Sequence, residues 1–157
     1  MIKVGESIPT STFKTMYSDG PKELTSTSFF AGKRVVIFGV PGAFTPGCTR
    51  THLPGYVKNT EEILAKGFDE IACIAVNDAW VMDAWGKAAG AQGKVTMLAD
   101  GSADFAKATG LELDLTHVGM GMRCKRFSMI VQDGVVESLN IDDRMIDLTS
   151  ATHTCDL

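Results

Sequence analysis

The sequence predicts an α/β fold in which helices flank a central mixed β-sheet. Two short apolar runs rich in β-branched residues, 34–40 (RVVIFGV) and 70–76 (EIACIAV), are typical of buried strands. The segment between them has the composition of a helix, and a strand–helix–strand unit places its two strands in parallel with a right-handed crossover. Two further runs, 126–132 and 135–141, flank Asp133-Gly134, a strong hairpin signal, and this antiparallel pair makes the sheet mixed.

The other elements are predicted from turn and helix signals along the chain. Asp19-Gly20-Pro21 indicates a turn within an irregular or hairpin-like entry over residues 1–34. Residues 48–67 predict one helix with a kink at Pro54-Gly55 and an end at Gly67. We further predict a helix over 79–90, a strand over 95–100, and short helices over 102–110 and in the tail over 145–157. This order predicts a single thioredoxin-like sandwich domain over residues 1–157.

Composition excludes several classes of function. A chain of 157 residues with 45% hydrophobic content suits one globular domain, and a net charge of -4 without a basic stripe argues against a nucleic-acid partner. No apolar run approaches the ~18 residues of a membrane span, so we expect no membrane association. The N-terminal residues MIKVGESIP lack the apolar region of a signal peptide, and we therefore expect a cytoplasmic protein.

The cysteines and histidines predict no metal centre. The four cysteines are Cys48, Cys73, Cys124 and Cys155, and the three histidines are His52, His117 and His153. They form no CxxC pair and no cluster at zinc-ligand spacing. In a reducing compartment four cysteines do not imply two disulfides, and the default role of each is a small buried apolar residue.

The string PGAFTPGC, which ends at Cys48, has two prolines and two glycines that set the backbone conformation. A cysteine that only fills the core would not need them. Thr45 is a suitable helix N-cap, and Pro46 then falls at the first helical position, where proline is favoured. Cys48 would lie in the first turn, near unpaired N–H groups and the positive end of the helix dipole, which favours the nucleophilic thiolate. Pro41 fixes the turn out of the strand, and Gly47 allows a small reactant to approach the backbone.

The residues around Cys48 resemble the active-site motif of the peroxiredoxins, Pro-x-x-x-Thr-x-x-Cys. The longer string PGAFTPGCTRTHLPGY is similar to the small type-II group of that family. The strings VNDAWVMDAWGK, LADGSADFAKATGLELDL and RCKRFSMIVQDGVVESLN extend the resemblance over nearly the whole chain. It implies a thioredoxin-like fold and a thiol-dependent peroxidase that acts on hydrogen peroxide and alkyl hydroperoxides without a metal, haem or other cofactor.

The resemblance also assigns roles to individual residues. Cys48 matches the peroxidatic cysteine, which attacks the peroxide O–O bond and becomes a sulfenic acid. Thr45 matches the residue that forms hydrogen bonds with the peroxide and the sulfur, and Pro41 matches the residue that shields the pocket from water. The backbone N–H groups of Gly47 and Cys48 match the rest of the peroxide site.

Arg126 matches the active-site arginine of the family. A guanidinium keeps its charge and can hold the thiolate and a peroxide oxygen together. The transition state spreads negative charge over sulfur and two oxygens, and fixed donors of this kind stabilise it. Arg123 also lies near the start of this strand. We rank it second as the active-site arginine, because an ordinary surface charge would explain it.

The sequence offers several candidates for the group that reduces the sulfenic acid. In the mammalian atypical form the resolving cysteine is near the C-terminus, where this chain has Ser150, and Cys155 lies five residues further on. Cys73 matches the second cysteine of the plant type-II group, but we expect it about 10 Å below the sheet edge where Cys48 lies, beyond the reach of a disulfide. Cys124 matches no family role. We therefore expect glutathione with glutaredoxin, or else thioredoxin, as the external reductant. The alternative is an internal Cys48–Cys73 or Cys48–Cys155 disulfide that thioredoxin recycles.

Two other functions remain open at this stage. The first is a thiol–disulfide oxidoreductase of thioredoxin type, against which the missing CxxC argues. The second is a redox sensor that uses Cys48 as a trigger without turnover. Phe44 and the segment containing Trp80, Val81 and Trp85 lie near the predicted site, and the family resemblance implies a homodimer formed through these loops.

Overall fold

The computed structural model describes residues 1–143 and 145–156. The strands are β1 (Thr12–Tyr17), β2 (Gly20–Thr25), β3 (Arg34–Gly39), β4 (Glu70–Ala75), β5 (Thr96–Ala99), β6 (Glu112–Leu115), β7 (Gly121–Cys124), β8 (Arg126–Gln132) and β9 (Val135–Asp142). The helices are α1 (Ser26–Phe30), α2 (Leu53–Lys58), α3 (Thr60–Ala65), α4 (Ala79–Ala88), α5 (Asp104–Thr109) and α6 (Ala151–Cys155), with a π-helical turn at Cys48–His52 and a 3-10 turn at Thr116–Val118.

The main sheet has seven strands in the order β2-β1-β5-β4-β3-β8-β9. The central strands β3, β4 and β5 are parallel to one another, and β8 and β9 continue the sheet as an antiparallel hairpin beside β3. Asp133 and Gly134 both have positive φ, as a two-residue hairpin turn with the matching twist requires. The predicted mixed sheet is therefore confirmed.

The prediction of one helix over 48–67 is wrong. Leu53 N–H bonds to the carbonyl of Cys48, five residues back, which makes the first turn π-helical. Pro54 follows at once and has no N–H to offer the carbonyl four residues before it, so the regular ladder cannot continue there. A second break falls at Asn59, where the side chain of Asn59 donates to the Gly55 carbonyl and the Thr60 hydroxyl donates to that of Tyr56.

The small ladder β6–β7 was also missing from the sequence prediction. It pairs Glu112 with Cys124 and Leu115 with Gly121, outside the main sheet. The string ELDL alternates polar and apolar residues over only four positions, too few to separate a strand from a loop. Strand β7 of this ladder ends two residues before Arg126, the first residue of β8, and β8 in turn pairs with β3.

Two apolar layers cover the two faces of the sheet. One contains Cys48, Cys73 and Cys155 together with the fully buried Trp85, and the other contains Cys124. Trp85 is therefore a core residue, whereas Trp80 on the same helix is 66% exposed. In the part of the chain that the structure describes, no helix is both long enough and apolar enough to cross a membrane.

Candidate active site

Cys48 lies in the first turn of helical backbone after strand β3. The helical backbone begins at Pro46, and the carbonyl of Thr45 accepts the N–H of Thr49 at 2.9 Å. This places Thr45 at the N-cap position and Cys48 at the third helical position, as predicted. Cys48 is only 1% exposed, so its sulfur lies beneath the surface and not in an open cleft.

The Thr45 side chain does not cap the helix as the sequence suggested. Its hydroxyl donates to the carbonyl of Gly42 at 2.6 Å and thereby closes the loop between β3 and the helix. Phe44, between them, has a φ of +62°, and this uncommon conformation points to a tightly constrained loop. Because the proton of the Thr45 hydroxyl is committed to Gly42, the oxygen keeps its lone pairs to accept a hydrogen bond.

Pro41 and Gly47 occupy the two ends of this loop. Pro41 is half-buried at the bend that follows β3. A Cβ added to Gly47 would lie 3.4 Å from Arg126 Nη2 and 3.7 Å from Ile146 Cδ1, so the bare backbone of Gly47 faces the guanidinium closely. The structure therefore brings together the predicted residues Gly47, Cys48 and Arg126.

Arg126 connects the opposite side of the site to the cysteine. It is the first residue of β8, and it adjoins the Gly39–Phe127 pair at the carboxyl end of β3. Its Nη2 donates to Cys48 Sγ at 3.3 Å. A fixed positive charge at this distance stabilises negative charge that develops on the sulfur.

Arg123, the second candidate, has a different place. Its Nε donates to the Met120 carbonyl at 2.9 Å and its Nη1 to the Val76 carbonyl at 3.4 Å. A Cβ added to Gly42 would lie 3.2 Å from the same Nη1. Arg123 thus holds the loop beside the site, and Arg126 is the arginine that contacts the sulfur.

His52 is a site residue that the sequence interpretation missed. Its Nδ1 lies 2.8 Å from Arg126 Nη1, and its Nε2 lies 3.0 Å from the Thr149 carbonyl. A guanidinium has only donors, so Nδ1 must accept and Nε2 must carry the proton. The spacing Cys48–His52 is i, i+4, which places both side chains on one helical face and was the available signal.

Burial keeps His52 neutral. The pKa of His52 is lowered to about 4, chiefly by removal from water; the Arg126 charge acts in the same direction, while the Thr149 carbonyl and Asp142 oppose the change. A protonated ring would point an N–H at the guanidinium. The neutral ring instead offers a lone pair, and this fixes the plane of Arg126.

Tyr56 completes the buried layer behind His52. Its ring stacks on Phe38 with a centroid distance of 4.0 Å, and its hydroxyl donates to the Thr149 carbonyl at 2.8 Å. Burial raises the pKa of Tyr56, so the phenol stays protonated and remains a donor. The Thr149 carbonyl therefore receives two buried hydrogen bonds, from His52 and from Tyr56.

Cys73, which matches the second cysteine of the plant type-II group, lies in the middle of the sheet, as expected. It is fully buried in β4 between Phe38 of β3 and Met97 of β5. Burial raises the pKa of Cys73 well above its usual value, which suppresses the thiolate. Cys124 is also buried, its pKa is raised to about 12 by burial, and its thiol donates to the Val40 carbonyl at 3.1 Å.

Cys155 is held in helix α6. The Ser150 hydroxyl caps this helix by accepting the N–H of His153, and Lys66 Nζ donates to the Cys155 carbonyl. Burial and the nearby Glu62 raise the pKa of the Cys155 thiol. The structure therefore docks the tail that carries this cysteine instead of leaving it free beside Cys48. Within residues 1–143 and 145–156 no group of three or more His, Cys, Asp or Glu side chains could hold a metal ion.

Comparisons with known proteins agree with this geometry. A family model described as Redoxin matches residues 3–151. Peroxiredoxin-2E, chloroplastic, of Arabidopsis thaliana is 44% identical over 146 residues, which cover 90% of this chain and 62% of that protein. Peroxiredoxin-2B of the same plant is 42% identical over 142 residues, with 90% and 88% covered. The solved structure of reduced Prx3 from Vibrio vulnificus in complex with H2O2 is similar with a TM-score of 0.96 and 43% identity, over 99% of this chain and 98% of that one.

The chain belongs to the redoxin family, and within it to the peroxiredoxins, which are thiol peroxidases. The similarity to the Vibrio structure over nearly the whole chain also confirms the thioredoxin-like fold that the sequence predicted. The family and the fold therefore agree with the arrangement of Cys48 and Arg126.

The depressed pKa of His52 predicts a loss of stability in mild acid. A histidine in the unfolded chain binds a proton below about pH 6.5, whereas His52 in the folded protein stays neutral down to about pH 4. The unfolded state therefore takes up more protons in this window, and the free energy of unfolding falls as the pH falls, by up to about 3 kcal/mol. The contribution of the neutral His52 to the free energy of unfolding is complete above pH 6.5 and is lost at pH 4.

The variant His52→Asn isolates this contribution. Its amide oxygen can replace Nδ1 as the acceptor for Arg126, but it does not titrate. Urea unfolding of both proteins at several pH values from 7 to 4 should show the wild type losing about 3 kcal/mol relative to the variant. The buried Asp100, whose pKa burial raises to about 6, is present in both proteins and cancels in the difference. Parallel pH profiles would contradict the assignment of a buried neutral His52.

Proposed function

We propose that Cys48 reduces hydrogen peroxide and small organic hydroperoxides and is recycled by glutathione, directly or through glutaredoxin. The observation that supports this proposal most strongly is the contact of Arg126 Nη2 with Cys48 Sγ at 3.3 Å. The sulfur attacks one peroxide oxygen, the O–O bond breaks, and the cysteine becomes a sulfenic acid. The second oxygen leaves as hydroxide or alkoxide and takes up a proton to give water or an alcohol.

The residues around Cys48 supply what this step needs. Arg126 provides a fixed positive charge where negative charge spreads from sulfur to the two oxygens. The Thr45 hydroxyl donates to Gly42, so its oxygen is free to accept the O–H of a bound peroxide. Gly47 leaves room beside the guanidinium, since nothing larger than a hydrogen projects from its Cα. The reaction needs no further cofactor, because the thiolate itself supplies both electrons.

The burial of the cysteines favours an external reductant. Cys48 is 1% exposed, so its sulfenic acid must move outward before any thiol can reach it. For glutathione this requires only that the short π-helical turn Cys48–His52 opens. A disulfide with Cys73 requires in addition that β4 releases a residue paired with strands on both sides. The second rearrangement breaks more hydrogen bonds, and we expect it to be slower.

A homodimer formed on the face beside the site is the second part of the proposal. Phe44, Trp80 and Val118 are 55%, 66% and 59% exposed. Asn77 accepts the N–H of Ala43 and so joins the Phe44 loop to the start of α4, where Trp80 projects. Exposed aromatic side chains on two connected segments are typical of a protein interface.

The first test of the proposed function is the variant Cys48→Ser. A serine hydroxyl is not ionised at neutral pH and cannot attack the O–O bond, so peroxide consumption with glutathione and glutaredoxin should be abolished. Circular dichroism should show an unchanged fold. The control Cys124→Ser keeps a donor for the Val40 carbonyl and should consume peroxide like the wild type. Turnover retained in Cys48→Ser would remove Cys48 from the mechanism.

The second test separates the two arginines. Lysine keeps the charge of Arg126 but lacks the planar fork that reaches Cys48 Sγ and His52 Nδ1 together. We expect Arg126→Lys to lower the rate constant for peroxide by at least ~10-fold, which is ~1.4 kcal/mol in the barrier. Arg123→Lys should change it little. If the loss appears in Arg123→Lys and not in Arg126→Lys, the site arginine is misassigned.

The third test concerns the reductant. Because Cys73 and Cys155 have raised pKa values in buried positions, we expect Cys73→Ser and Cys155→Ser to keep most of their glutathione-supported turnover. Mass spectrometry of the protein treated with one equivalent of peroxide and then glutathione should show a mixed disulfide on Cys48. A peptide map with a Cys48–Cys73 or Cys48–Cys155 disulfide, and loss of thioredoxin-supported turnover in the matching serine variant, would favour the internal route instead.

The fourth test addresses the dimer. Sedimentation velocity should give the mass of two chains for the wild type, and the double variant Phe44→Glu/Trp80→Glu should sediment as a monomer because charge is costly in an apolar interface. Tyr17→Glu is the control, since Tyr17 is also exposed but lies at the turn of the β1–β2 hairpin, whereas Trp80 adjoins the other end of that hairpin at Thr12 and Lys14. A monomeric wild type at micromolar concentration would rule the dimer out.

A further inference from the structure

A single carboxylate, that of Asp142, organises the segment that follows strand β9. Its Oδ2 accepts the N–H of Asp147 at 2.9 Å, the N–H of Thr149 at 3.0 Å and the Thr149 hydroxyl at 2.7 Å. Its Oδ1 accepts the N–H of Leu148 at 3.2 Å. Although burial opposes it, these four hydrogen bonds lower the pKa of Asp142 and keep the carboxylate ionised.

The segment held by Asp142 carries the acceptor for His52. The N–H and hydroxyl of Thr149 bond to Asp142, and its carbonyl faces inward to accept the Nε2 proton of His52. His52 in turn accepts from Arg126, and Arg126 donates to Cys48. A continuous chain of hydrogen bonds therefore runs from the Asp142 carboxylate to the sulfur.

Two members of this series of hydrogen-bonded groups, Asp142 and Arg126, lie on neighbouring strands. Asp142 is the β9 partner of Arg126 in β8. A register shift at Ile130/Val131 produces this pairing, because continuation of the hairpin register from Gln132–Val135 would place Ile141 opposite Arg126. Asp142 thus lies directly across the strand pair from Arg126, the arginine to which it is also linked through Thr149 and His52.

We propose that Asp142 is a positioning residue of the peroxidase site, which sets the tautomer of His52 and through it the orientation of Arg126. This inference rests on the proposed role of Arg126 in the reaction. Without Asp142 the 147–149 segment loses its four hydrogen bonds to the carboxylate, and the bond from Tyr56 alone does not keep the Thr149 carbonyl aligned with Nε2, so the proton of His52 can occupy Nδ1. An N–H at Nδ1 faces the N–H of Arg126, donor against donor, and displaces the guanidinium from Cys48. The ionisable or charged side chains around the ring are Arg126, Asp142 and Tyr56.

The test compares Asp142→Asn with a matched control, Asp143→Asn. Both variants lose one negative charge at adjacent positions, but Asp143 is exposed. An asparagine at 142 keeps one acceptor oxygen and presents an NH2 group to the backbone N–H groups of the 147–149 segment. It therefore cannot accept all four hydrogen bonds that Asp142 accepts. A third variant, Thr149→Val, removes only the hydroxyl bond to Asp142 and keeps the backbone carbonyl.

Two measurements are made on each protein. The tautomer of His52 is followed by long-range 1H–15N NMR, which is practical because the chain has only three histidines. The rate constant for peroxide is followed by stopped-flow fluorescence. Trp85 Nε1 donates to the hydroxyl of Thr49, one residue after Cys48, so its emission reports on this turn.

In the wild type and in Asp143→Asn we expect the Nε2–H tautomer of His52 and equal rates. In Asp142→Asn we expect a mixture of tautomers and a roughly tenfold slower reaction, a barrier change of the size expected for a misplaced donor. Thr149→Val should fall between them. The proposal is overturned if Asp142→Asn keeps the Nε2–H tautomer, or if its tautomer changes while its rate stays within twofold of the wild type.

The proposal stays testable if Asp142→Asn does not fold, because Thr149→Val must then show both the partial tautomer change and the partial rate loss. An unchanged His52 signal in a folded Thr149→Val with an unchanged rate would overturn it. Failure of the proposed function has a different signature. In that case the wild type itself reacts no faster with peroxide than free cysteine, whereas the NMR comparison still reports whether Asp142 controls His52.

Discussion

The contact between Arg126 and Cys48 is the interaction on which the rest of the site depends. Cys48 is 1% exposed, so negative charge that develops on its sulfur during the reaction has little water around it and needs a partner within the protein. The guanidinium Nη2, 3.3 Å from the sulfur, is that partner. It keeps its charge at any physiological pH, but it has several rotatable bonds, so its value to the site depends on what holds it in one orientation.

The sheet supplies the first level of that control. The antiparallel pairing of β3 with β8 places Phe127 opposite Gly39, so the residues beyond this pair, the loop to Cys48 and Arg126, meet at one edge. Gly39 has no side chain because the Phe127 ring occupies the space where a Cβ would stand. The neutral His52 supplies the second level, since its Nδ1 accepts from the other guanidinium nitrogen. Burial disfavours a charged histidine, and it therefore keeps His52 in the neutral form that accepts the hydrogen bond from Arg126.

The sequence was informative where local signals decide the structure. Buried strands appear as apolar runs, and the start of the helix follows from the preference of proline for the first helical position, so the position of Cys48 was predictable. The break of the predicted helix at residue 59 was not, because it depends on side chains that compete with the backbone in the folded chain. His52 could have been found from its i, i+4 spacing to Cys48. Asp142 could not, because a β-bulge shifts the hairpin register by one residue.

The central claim is that Arg126 makes Cys48 a selective nucleophile for peroxide. The most direct measurement is the ratio of two rate constants at pH 7, for hydrogen peroxide and for iodoacetamide, in this protein and in free cysteine. An ionised thiol gains with both reagents, whereas only peroxide gains from donors that stabilise its O–O cleavage. The account predicts a ratio for Cys48 at least ~100-fold above that for free cysteine, the magnitude of one well-placed transition-state donor. Equal ratios would contradict it, because Cys48 would then be an acidic thiol without a peroxide site.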